Sequence, residues 1–222
     1  MQKKPRKARL AGQTGFTLVE ITIVLVIIGL LLGGVFKGQE LIGSAKVKNL
    51  AQDFRMAQIY IHAYQDKFRA LPGDDIRAQT RLCPAANPTC TTSGDADGII
   101  NGRWDDDTDT LSEAVRFWQH IRFANLASGS TDIASDNFLP LNSEGGRIGI
   151  QSGGTEAPLS ISGSYVMCSG GIPGKYIRQL DDALDDGNPA TGALRAGVTD
   201  AGSGIALEDI VDGTAYVVCL GI

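Results

Sequence analysis

Histidine and aromatic side chains are scarce in this 222-residue sequence: His62 and His120 are the only histidines, and Phe, Trp and Tyr make up 6%. The motifs H-E-x-x-H, G-x-S-x-G and the P-loop are missing, which removes the common sequence routes to zinc hydrolysis, serine acyl transfer and nucleotide binding. Carboxylates alone can form a glycosidase dyad, but acidic turns bring such pairs together by chance. No catalytic residue is assigned, and the chain reads as a non-enzyme. Clustered positive charge is also missing beyond residue 14, so no groove for nucleic acid is expected. No histidine stands near the four cysteines in sequence, which favours disulfides over a thiolate metal site.

What is present is unevenly placed. Lys3, Lys4, Arg6, Lys7 and Arg9 crowd the first fourteen residues with no acid among them, so the remainder is more negative than the whole-chain charge of −5. Phe16 to Phe36 is an apolar run whose only acid is Glu20, and at 1.5 Å per residue it spans about 30 Å, the thickness of the hydrocarbon layer. Basic residues before it, without a matching excess immediately after, predict a cytoplasmic N-terminus and a head on the far side of the membrane. No small-residue cleavage site follows the run, as an ordinary secretory signal would require. A carboxylate inside such a run is costly and therefore functional, unless it sits at the interface of a generic signal anchor.

The residues Gly15-Phe16-Thr17-Leu18-Val19-Glu20, behind their basic leader, resemble the cleavage signal of type IV pilins and the pseudopilins of type II secretion. The resemblance covers about the first 55 residues. It implies cleavage by a prepilin peptidase between Gly15 and Phe16, methylation of the new Phe16 amine, and retention of the apolar helix in the inner membrane. It further implies that Glu20 neutralises the N-terminal amine of a neighbouring subunit inside a filament. A desolvated ion pair of that kind makes two costly charges tolerable and can set register. The implied partners are identical or related subunits, the peptidase, the membrane and an assembly platform with its own ATPase. The competing readings are a membrane-anchored periplasmic binding module and a minor subunit outside the filament shaft. Many relatives place a helix-breaking proline where this chain has Lys37.

The domain reading is a leader (1–15), an assembly helix (16–70) and a head (71–222). Leu41, Ile42, Ala45, Val47, Leu50, Phe54, Ala57, Ile59, Ile61 and Phe68 recur at helical spacing, and no proline intervenes before Pro72. Gly29, Gly33, Gly34, Gly38 and Gly43 leave local melting and close helix packing both open. The turn LPGDD ends the helix. Thr110-Leu111-Ser112-Glu113 matches a capping box, with Thr110 as N-cap and Leu111, Ala114, Val115, Trp118 and Ile121 on the buried face. Neither Trp118 nor His120 needs a catalytic role. Strands are predicted over 147–151, 159–168 and 215–220 and a short helix over 175–185, which gives an α+β, loop-rich, pilin-like head on an antiparallel sheet. An even number of cysteines beyond a membrane segment suggests an oxidising compartment. The pairing favoured is Cys83 with Cys90 and Cys168 with Cys219.

Two acidic stretches are candidate Ca²⁺ sites. In SGDADGIINGRWDDDTD, Gly98 as turn glycine places Asp95, Asp97 and Asn101 at ligand positions, with Ser93 first and Trp104 where a bidentate Glu belongs. Asp105, Asp106 or Asp107 would supply the missing oxygen through a different closure. In LDDALDDGNPATG, Asp181, Asp182, Asp185 and Asp186 crowd a helix C-terminus, where the dipole disfavours anions. A cation there, or Arg178 or Arg195, is expected to compensate, with Asp185 and Asp186 as the ligands. Solvated acidic turns are the alternative for both.

Overall fold

The computed structural model describes residues 17–83, 90, 93–108 and 111–222; Gly15, Phe16 and Thr110 lie outside them. Helix α1 covers Leu18–Phe68 and runs unbroken through all five glycines and Lys37. At Lys37 the side chain meets Glu40 at 2.6 Å, an exposed pair one turn apart, and such pairs contribute little. The chain divides into two compact units, Met1–Gly43 and Ser44–Ile222.

In the first unit the described residues are helical and their apolar side chains are uncovered: Leu18 is 81% exposed and Leu30 74%. The second unit begins with the remainder of α1. There Val47, Leu50, Phe54, Ala57, Ile61 and Tyr64 form one buried stripe. Three or four residues separate its members, the spacing of one helix face. Leu41, Ile42 and Ile59, expected on that face, are more than half exposed, because their positions fall off the stripe.

Opposite the stripe stands a four-stranded antiparallel sheet with strand order β1-β2-β4-β3. Its strands are β1 (Ile148–Ser152), β2 (Tyr165–Pro173), β3 (Leu194–Gly197) and β4 (Ala215–Gly221). Strand β2 starts later than predicted, because Pro158–Ser160 form a 3-10 turn before it; β3, four residues long, was not predicted. Helices α2 (Ala78–Leu82), α3 (Glu113–Phe123) and α4 (Gly174–Leu184) complete the unit. Phe117 and Ile121 of α3, Ile177 and Leu180 of α4, and Ile150, Met167 and Val218 of the sheet join the stripe in one core. Each large side chain fully buried there contributes about 1.5–3 kcal/mol. The observed fold is α+β and pilin-like, with a long N-terminal helix on a small antiparallel sheet.

Candidate assembly helix and acidic loop centres

The LPGDD turn is the hub of the second unit. Gly73 holds φ +94°, and a Cβ there would lie 2.6 Å from the Glu113 carbonyl oxygen. Its N–H donates to Nδ1 of buried His120 at 2.9 Å, so that histidine fixes the turn. Asp75 accepts from the Tyr64 hydroxyl at 3.0 Å and pairs with Arg81 at 3.0 Å. Burial pushes the Tyr64 hydroxyl pKa up, and the Asp75 charge adds to it.

Asp74 and Glu113 hold the loop that follows. Asp74 Oδ1 and Oδ2 accept from the N–H groups of Asp97 (3.2 Å) and Gly98 (3.0 Å), while Glu113 Oε1 and Oε2 accept from those of Asp95 (3.2 Å) and Asn101 (3.0 Å). Both acids are buried. Desolvation pushes both carboxyl pKa values up, with the backbone donors pulling the other way. One oxygen each of Asp74, Asp95, Asp97 and Glu113 lies within 4.8 Å of the others, so the group could hold a metal ion.

The predicted ligands are only partly gathered. Asp95 and Asp97 are in the group, and Asn101 donates its amide to Asp97 Oδ2 at 3.4 Å. Asp105 is not in it: Arg103 Nε captures its carboxylate at 2.9 Å. Asp106 accepts the Arg103 N–H, and Asp107 pairs with Arg147. Trp104 turns its indole to Asp200 instead of the loop. Acids from beyond the motif, Asp74 and Glu113, stand where the sequence expected the aspartates after Trp104. Glu113 is free to do so because α3 begins at Glu113 with Ser112 as N-cap, two residues later than predicted.

The second acidic stretch closes on itself differently. Asp181 is fully buried on α4; its Oδ1 accepts from Gly187 N–H at 2.7 Å, and its Oδ2 meets no donor among the described residues. Asp185 Oδ2 accepts from Ala193 and Leu194 N–H, and Asp186 accepts from Asn188 N–H and the Thr191 hydroxyl. One oxygen each of Asp181, Asp185 and Asp186 lies within 4.8 Å of the others, so this group too could hold a metal ion. Desolvation, with the neighbouring aspartates adding to it and Gly187 opposing, pushes the Asp181 carboxyl up to about 6. The expected partner Arg195 donates to the carbonyls of Leu159 and Ser160 instead. No ion pair among the described residues involves these aspartates or Arg178.

At the start of α1, Thr17 Oγ1 accepts from Glu20 N–H at 3.2 Å. That is the N-cap half of a capping box, and it places the Glu20 carboxylate in the first turn, where the helix dipole favours it. The eighteen most apolar residues of α1 include none that is buried, and the helix is long and apolar enough to cross a membrane. The family model of the prokaryotic N-terminal methylation motif matches residues 10–36. The chain carries a prepilin signal of type IV pilins and pseudopilins. No curated protein and no solved structure matches the chain.

The cysteines are joined as Cys83–Cys90 and Cys168–Cys219, the latter directly opposite each other on β2 and β4. Sequence reasoning missed Asp74 and Glu113 as members of the first acidic group and Asp181 as the buried member of the second. The signal for Asp181 was available. Ile177, Leu180 and Asp181 lie at helical spacing on one face, which puts a carboxylate on the buried side of α4.

Proposed function

We propose that the chain is a structural subunit of a type IV pilus or a type II secretion pseudopilus, assembled through its N-terminal helix. One observation carries this reading: behind a prepilin signal, an apolar helical stretch with no buried side chain among the described residues holds a carboxylate, Glu20, in its first turn. A helix that is apolar all round needs lipid or other helices around it. In the membrane the precursor has its leader in the cytoplasm and its head outside. Prepilin peptidase cuts after Gly15 and methylates Phe16. In the filament, Glu20 accepts the charge of a neighbouring Phe16 amine, and the uncovered apolar surface packs against other copies. The fold acts as a polymerising element with no catalytic centre of its own.

The intact mass of the protein recovered from its native membrane tests the processing step. Loss of residues 1–15 plus one methyl is expected. A full-length chain, or a product starting at Ala11, contradicts it.

A further inference from the structure

Asp181, Asp185 and Asp186 surround the C-terminal end of α4 with three carboxylates, and one of them is in an expensive position. Asp181 is fully buried, and its Oδ2 has no hydrogen-bond donor among the described residues. A buried carboxylate oxygen without a partner costs several kcal/mol, and folded proteins rarely leave one so. Compensation by an arginine is not in place. Arg195 is committed to the carbonyls of Leu159 and Ser160, and Arg55 donates to the Ala183 carbonyl at 2.8 Å rather than to a carboxylate. The helix end adds its own partial negative charge to the same spot. In the first acidic group, by contrast, every oxygen of the buried pair Asp74 and Glu113 accepts a backbone N–H.

We propose that Asp181, Asp185 and Asp186 form a Ca²⁺ site that ties the end of α4 to the loop leading into β3. Open oxygens on Asp181 and Asp185, a third carboxylate on Asp186 whose oxygens each accept one loop hydrogen bond and keep lone pairs to spare, and no nitrogen or sulfur donor suit a hard cation of irregular, high coordination. Asp185 Oδ2 already gathers the N–H groups of Ala193 and Leu194, which leaves its Oδ1 for the ion. Asp181 Oδ2 reaches the ion from the protein side, and Asp186 and water complete the shell from solvent. The ion supplies the positive charge that Asp181 lacks. The site goes beyond the assembly reading and is tested on unassembled protein, so the two can fail separately.

The test is thermal melting and calorimetric titration of the full chain in detergent at pH 7, first stripped with chelator and then titrated with CaCl₂ or MgCl₂. A ligand that binds only the folded state raises the melting temperature by mass action, so Ca²⁺ should shift it and Mg²⁺ should do so much less. Asp181→Asn should weaken Ca²⁺ binding by at least roughly tenfold, while melting no lower than wild type in chelator, because it removes an uncompensated charge. Asp186→Asn, at the solvent edge, should weaken binding with calcium-free melting unchanged; this arm stands even if Asp181→Asn folds poorly. Glu208→Gln, an exposed acid in neither acidic group, should bind as wild type. Absence of any Ca²⁺ response in wild type overturns the proposal. So does a response that survives Asp186→Asn unchanged or is lost in Glu208→Gln.

Discussion

Two stretches of one helix, Leu18–Phe36 and Val47–Tyr64, obey the same backbone rules and meet opposite surroundings. Leu25 is 62% exposed, whereas Leu50, further along the same helix, is fully buried. The early stretch is apolar on every side, and its most apolar window has no buried residue among the described residues. The later stretch is apolar on one stripe, which α3, α4 and the sheet cover. A striped helix is completed by its own chain; one apolar all round needs partners from outside it. The difference separates what makes the head fold from what the proposed assembly would use.

Substitutions in the two stretches should therefore act on different observables. Phe54→Ala removes a fully buried ring from the stripe and should lower head stability by about 3–5 kcal/mol, read as loss of cooperative melting at moderate temperature. Gly73→Ala, outside the helix but in the turn that ends it, drives a Cβ toward the Glu113 carbonyl at a positive φ. It should cost roughly 1–3 kcal/mol by the same melting assay.

The pH response gives a smaller effect. Desolvation alone pushes Asp53, on the later stretch of α1, up to about 6, within a cavity it shares with Tyr60, Trp118 and Arg122. A raised carboxyl pKa means that the folded state binds the proton more tightly than the unfolded one. Its contribution is full below the unfolded value of 3.8 and is lost as the pH rises through about 6. The head should melt higher at pH 5 than at pH 7, and Asp53→Asn should flatten that slope; an unchanged slope contradicts the assignment. Smallest of all, Ile27→Ala in the early stretch should leave head melting within about 0.5 kcal/mol. A large drop there would erase the contrast between the two stretches.

Much of the fold was legible because it rests on periodicity. The end of α1, the position of α4 and three strands follow from local patterns of apolar residues. Two T-L-x-E quartets show where local reading runs out. Thr17-Leu18-Val19-Glu20 starts a helix with Thr17 as its cap; in the second quartet Ser112 is the N-cap, Leu111 takes φ +48° and Glu113 turns to the N–H groups of Asp95 and Asn101. The tertiary demand of a loop whose backbone N–H groups need acceptors overrode the capping preference. The same demand drew Asp74 into the acidic group, and no spacing rule along 93–109 could include it. Arg103 sits two residues before Asp105 and claims it, so a local ion pair displaced a ligand that the loop pattern had assigned.

The central claim is that the uncovered stretch, with Glu20 in its first turn, is what polymerises. Its most direct test is incorporation of Glu20→Ala into filaments sheared from cells that also make the wild-type apparatus, with membrane levels of both chains measured in parallel. The account predicts normal membrane insertion and a normally folded head, with incorporation reduced to background. Incorporation at wild-type level would contradict it, leaving the helix as an anchor alone.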